Sequence, residues 1–181
     1  EVDKLSVEML QAIVQCFCNL YLVDEFAGRM VQEGVVQALI SINKRVDDGS
    51  LGAMIVSTLR CLTSCAETLD LMVKDEAIEL IVSVCNKLDR KQAESILFDG
   101  CTACFRIAFD ANLRSELIGR GGLEVVGKGG EHKSCHALVV ATFFLLSLSV
   151  EYRVAVAGGV TGPLLIKLGM IEPDSPMTQN A

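Results

Sequence analysis

The segment from Arg29 to Ile42, RMVQEGVVQALISI, is written a second time, with substitutions, as LMVKDEAIELIVSV from Leu71 to Val84. Both copies run Met, Val, a short polar break with an acidic residue, then an apolar stretch. A chain that repeats itself at a period near 42 residues folds by stacking copies, because one copy cannot cover its own apolar faces. The echo extends beyond this segment. Ile13, Val14, Phe17 and Leu20 shift by 42 onto Ile55, Val56, Leu59 and Leu62. A further shift of 45 reaches Gly100, Cys101, Cys104 and Ile107, and one of 39 reaches Val139, Val140, Phe143 and Leu146.

Within each copy the apolar residues recur at helical spacing. The pattern predicts helices over 6–22, 25–31, 35–46, 51–66, 68–73, 77–88 and 93–109. DDGS at 47–50 and DRKQ at 89–92 are the connectors. ANLRSELIGRGGLEVV then gives a short helix, a glycine break and the start of another. The three glycines of GKGG at 127–130 should truncate that helix. The organisation expected is one repeat domain over 1–171, with three full units and partial flanks, and a polar tail over 172–181.

Composition agrees with helices built from Leu, Ile, Val and Ala: there are 3 Pro and no Trp. The most apolar run, ALVVATFFLLSLSV at 137–150, is shorter than the ~20 residues a bilayer crossing needs, so a fully buried helix is expected there. A net charge of −7 argues against general binding to nucleic acid or anionic membranes, because like charges repel. The 8 cysteines sit mostly inside apolar helical runs, where free Cys packs as a small hydrophobe. They point to a reducing compartment, the cytoplasm or the nucleus. No signal or transit segment is visible, there is no initiator Met, and the first predicted helix begins almost at once. An excised fragment is the expectation.

A short helix, a small residue at a sharp bend, a second helix and a long third one make a unit that resembles the armadillo repeat. Gly34, Gly121–Gly122 and Gly158–Gly159 match the bend, and in the second copy it falls on Glu76–Ala77. AIVQCFCNL at 12–20 resembles the third-helix signature. The fold class expected is therefore all-α, a right-handed α-solenoid of armadillo-like three-helix repeats, with HEAT-like two-helix repeats as the alternative.

The resemblance implies a concave groove lined by third helices, in which a protein or an extended peptide lies. In importin-like members a Trp and an Asn four residues apart hold the peptide. Here the Trp place falls on Gln15, Ser57, Thr102 and Ala141, and the Asn place on Asn19, Cys61, Arg106 and Leu145. Only Asn19 matches, so a nuclear-signal ladder is not expected. The groove candidates are Gln15, Asn19, Ser57, Arg60, Thr102 and Arg106. Arg60 and Arg106 are charges on apolar helices and need a partner. That partner is either an acidic group on a ligand or a neighbouring carboxylate such as Asp99 or Asp110.

Other motifs carry no chemistry on this reading. GLEVVGK at 122–128 has phosphate-loop spacing, but Gly129 stands where Ser or Thr should hold magnesium, and no strand precedes. His132 and His136 lack the further ligands a structural zinc wants. CTAC at 101–104 lies in mid-helix rather than at a helix N-terminus. No Ser/His or Cys/His pair is demanded. The expectation is thus a scaffold or adaptor module, not an enzyme, with no cofactor and no metal. The alternative is a regulatory domain docking on a small GTPase or a catalytic domain. The partner is a protein or peptide, with no nucleic acid and no membrane insertion. Apolar faces near 7–14 and 164–168 should lie open unless covered by flanking units or by self-association.

Overall fold

A computed structural model describes residues 5–20, 24–87 and 93–153. Among these residues the protein is all-helical, with no strand. The helices are α1 (Val7–Leu20), α2 (Asp24–Gln32), α3 (Val35–Arg45), α4 (Gly49–Leu62), α5 (Ala66–Lys74), α6 (Ala77–Asn86), α7 (Ala93–Phe109), α8 (Arg114–Gly119), α9 (Gly122–Gly129) and α10 (His136–Ser147). Short 3-10 turns precede α8 and α10. The Gly158–Gly159 bend, the 164–168 segment and the 172–181 tail lie outside the described residues.

Local chemistry accounts for the breaks. Asp48 caps α4, its Oδ1 accepting from the Leu51 N–H at 2.8 Å. This cap starts the helix two residues before the apolar pattern does. At the other end Thr63 and Ser64 turn their hydroxyls back onto the carbonyls of Arg60 and Cys61, at 2.7 and 2.6 Å. Those bonds close α4 at Leu62, short of the expected 66, and Cys65 becomes the N-cap position of α5. Asp110 starts the turn before α8 by accepting from the Asn112 N–H at 2.9 Å.

Three corners are built alike. Gly34 (φ 86°), Glu76 (φ 68°) and Gly121 (φ 86°) are the left-handed residues that open α3, α6 and α9. Each donates its N–H to the carbonyl three residues back, on Val31, Val73 and Ile118. This is the physical content of the repeated phrase: the same backbone turn, one repeat apart, between a short helix and its successor.

Packing runs between equivalent helices. α1 packs on α4, α4 on α7 and α7 on α10; α3 packs on α6 and α6 on α9; α2 packs on α5. One continuous hydrophobic core runs from Leu10 and Val14 through Leu59, Leu62 and Ile81 to Val139 and Leu146. Side-chain hydrogen bonds bridge at about one repeat length. Asn43 reaches Ser83 at 3.4 Å, Gln37 reaches the Asp75 carbonyl at 3.1 Å and Ser134 reaches Glu94 at 2.7 Å. Buried Thr58 and Thr142 satisfy their hydroxyls on the carbonyls four residues back, Met54 and Leu138.

The apolar helix α10 differs from its expectation. It buries Val139, Phe143 and Leu146, yet Phe144 is 62% exposed, and Leu148 just beyond the helix is 55% exposed. Near the first helix, Val7 and Met9 are exposed while Leu10 and Val14 are buried, so the open apolar face expected there is only partly open.

Candidate binding face of the long helices

The four long helices α1, α4, α7 and α10 place one face at matched repeat positions. On α4 it carries Ala53, Ser57 and Arg60, with Ser64 just beyond; on α7 it carries Phe98, Thr102, Phe105 and Phe109. On α10 it carries Ala137, Ala141 and Phe144, with Leu148 just beyond, and on α1 it begins Gln11, Gln15, Cys18. None of these residues is fully buried, whereas Val56, Leu59, Cys101 and Cys104 between them are.

The face changes character along the series. Gln15 is exposed and its amide donates to Asn19 Oδ1 at 3.1 Å, so these two candidates form one polar pair on α1. Ser57 is half-buried on α4. Thr102 is half-buried on α7, and its hydroxyl is turned onto the Phe98 carbonyl at 2.8 Å. Beyond it stand Phe98 (41% exposed), Phe109 (71%) and Phe144 (62%). The α1 and α4 end is polar; the α7 and α10 end is aromatic. Exposed aromatics in a row are the less ordinary feature, since burying such rings is worth ~2 kcal/mol or more each.

The two arginines are held differently. Arg60 Nε lies 2.8 Å from Asp99 Oδ1 across α4 and α7, both side chains being largely buried. Its N–H is not aligned on that oxygen as a hydrogen bond, so the contact is an ion pair by proximity. Arg106 takes neither Asp99 nor Asp110. Its Nη1 donates instead to the Arg60 carbonyl, which also accepts from Thr63 Oγ1. Arg106 thereby sits on the negative C-terminal end of α4. Among the described residues no carboxylate pairs with it.

Beside it is a shallow cleft of about 460 Å³. Thr63, Ser64, Ala66 and Leu69 form one wall, and Phe105, Arg106, Phe109 and Asp110 the other. Phe105 and Phe109 meet edge to face, with ring centroids 6.4 Å apart. A second cleft of about 570 Å³ lies between α1, α2 and α3, lined by Phe17, Leu20, Phe26 and Met30, with Arg29 and Glu33 among its polar residues.

The Asn-place positions read from the sequence are one step off this face. Cys61 is 4% exposed and packs inward; Arg60 and Ser64 take the outward position on that turn. Phe105 and Phe109 likewise flank Arg106 on α7. The aromatics were missed because sequence reading counts them as core. Their signal was spacing: 98, 105 and 109 fall on one helical face that the core residues 97, 101, 104 and 108 do not share.

The remaining motifs have structural explanations. Gly122–Lys128 is helical, in α9, and Lys128 Nζ donates to Asn86 Oδ1 and to the Cys85 carbonyl at the end of α6. His132 precedes a 3-10 turn and His136 follows it, so the two do not share a regular helix face. Among the described residues no group of three His, Cys, Asp or Glu side chains gathers closely enough to hold a metal ion. Cys101 and Cys104 are buried in α7. Burial pushes the Cys104 thiol up, and Cys101 is held protonated by its hydrogen bond to Cys135 and then by burial. Neither is poised as a thiolate. Among the described residues no helix is long and apolar enough to cross a membrane.

Compared with family models, with curated proteins and with solved structures, the chain matches none.

Proposed function

We propose that the protein is a non-catalytic protein-binding module, a scaffold or adaptor built as a right-handed α-solenoid of armadillo-like repeats. In this reading α1, α4, α7 and α10 are the third helices and their shared face is the floor of a concave groove. A protein or an extended peptide lies along it. The observation that carries the reading is the serial packing of equivalent helices, which leaves the same face of every long helix turned outward. The left-handed residue at each short-helix corner supports armadillo-like over HEAT-like units. A rigid surface assembled by repeat packing loses little conformational entropy when it binds, which favours recognition by a preformed wall.

Site-specific photo-crosslinking in cells tests this. A photoreactive residue at Ser57 or Thr102 should trap discrete partner adducts. The same residue at Ser41, exposed on the second helix α3, should not. Adducts from Ser41 alone would place the binding surface elsewhere.

A further inference from the structure

We infer that the aromatic end of this face is an anchor site for a partner segment that pairs an apolar side chain with a nearby carboxylate. The inference rests on the groove reading and names the partner's chemistry. Three observations meet at one place. Phe98, Phe105 and Phe109 share a face of α7, and Phe144 and Leu148 continue it at and just beyond the end of α10, the next helix in the series. The equivalent positions on α4 are Ala53, Arg60 and Ser64, so the apolar strip stops at the α4–α7 boundary. At that boundary lies the 460 Å³ cleft, wide enough for one large side chain, with Phe105 and Phe109 along one wall.

Charge complementarity selects the occupant. Arg60 already has Asp99. Arg106 has only a backbone carbonyl, which fixes its guanidinium but leaves its charge without a carboxylate among the described residues. Asp110, at the same cleft, spends Oδ1 on the Asn112 N–H. A guanidinium held in place beside aromatic rings is built for bidentate contact with a carboxylate. Its other N–H groups remain to be matched, and the partly dry setting strengthens the pair. The polar α1 and α4 end, with Gln15, Asn19 and Ser57, would then hold the partner's backbone rather than its anchor.

Selection from a phage library of random 12-residue peptides, panned on the immobilised full chain, tests the proposal. Recovered peptides should place Asp or Glu within about four residues of a large apolar residue, the reach of one turn or a short extended stretch. A synthetic recovered peptide, labelled for fluorescence anisotropy, should lose at least about tenfold in affinity against Phe109→Ala or Arg106→Gln. Phe109 is 71% exposed, so its removal leaves the fold alone. Gln deletes the charge while keeping a polar amide at the position, and an unchanged urea midpoint for the variant shows that the fold is intact. Arg106→Glu should reject the acidic peptide and accept its Asp→Lys counterpart. Peptides without enriched acids, or affinities unmoved by both Phe109→Ala and Arg106→Gln, overturn the anchor. If those same peptides weaken against Gln15→Ala or Ser57→Arg, the groove reading survives and only the anchor falls. A library yielding nothing above an unrelated helical protein counts against both.

Discussion

Glu76 stands in the left-handed backbone, φ 68°, that Gly34 adopts at φ 86° one repeat earlier. For an L-residue with a side chain this conformation costs ~1–2 kcal/mol, and glycine escapes it at a smaller entropic cost in the unfolded chain. Glu76→Gly should therefore stabilise the protein by about 0.5–1 kcal/mol, seen as a higher urea midpoint with an unchanged slope. Gly34→Ala should cost about 1 kcal/mol although a Cβ there meets nothing within 4 Å, because the penalty is in the backbone. A neutral result at both positions would mean that the corners are not strained.

One of the three glycines of GKGG, Gly129, has a packing reason. It is buried at the end of α9, where a Cβ would run into Cys101 Sγ and press on Cys135 Cβ. Gly129→Ala should cost about 1–3 kcal/mol through overpacking. Combined with Cys101→Ala the loss should be smaller than the sum of the two single losses, since the second change empties the space the first needs. Additive losses in a double-mutant cycle would contradict this contact.

Arg114 and Arg153 make the same bond one repeat apart. Each donates Nε to a carbonyl six residues back, on Ala108 at 2.8 Å and on Ser147 at 2.9 Å. Both bonds close the C-terminal end of a long helix. Arg114 is 8% exposed, whereas Arg153 is exposed. Arg114→Ala leaves a buried carbonyl unpaired and should cost ~1.5–3 kcal/mol; Arg153→Ala should cost under about 1 kcal/mol because water replaces the bond. Thermal or denaturant unfolding of the pair reads the difference directly.

Burial pushes the Cys85 thiol up from the ordinary 9.0 to about 12. Below about 9 both folded and unfolded chains hold this proton, and the group adds no pH dependence. As pH rises from 9.0 towards 12 the unfolded chain loses the proton while the folded chain keeps it. Stability then falls, by up to about 1.4 kcal/mol per pH unit for this thiol. Cys85→Ala should flatten the loss seen in urea midpoints between about pH 8 and pH 11, even though its stability near neutrality is lower. Equal slopes for the variant and the wild type would show that Cys85 ionises in the folded chain.

Thiol labelling gives an independent check on the core. Cys16 is exposed, while Cys61, Cys85, Cys101, Cys104 and Cys135 are buried. Iodoacetamide should modify Cys16 before any of those five, which should react only at the rate of unfolding. Early modification of Cys101 or Cys104 would show that α7 is not packed as described.

The amino-acid sequence by itself determined the helices, their order and the corners. Apolar residues at helical spacing fix each long segment, and α7 runs over 93–109 as its pattern predicts. The bends at 34 and 121 were legible as glycines between two helices, and the one at 76 from its repeat register, 42 residues after Gly34, because Glu carries no local sign of a left-handed backbone. Only tertiary packing decided which side chains face outward at the end of each long helix. An amphipathic pattern defines an apolar stripe roughly 100° wide, about the angle of one residue step. Whether Cys61 or Arg60 looks out is therefore set by where the neighbouring helices cross, and they bury Cys61. The same holds for Arg106, whose partner is a helix end 46 residues earlier rather than a nearby carboxylate. It holds too for Phe109 and Phe144, which residue type assigns to a core and which packing leaves in the open. Local chemistry reads along the chain; the face a partner would meet is a property of how adjacent repeats settle against each other.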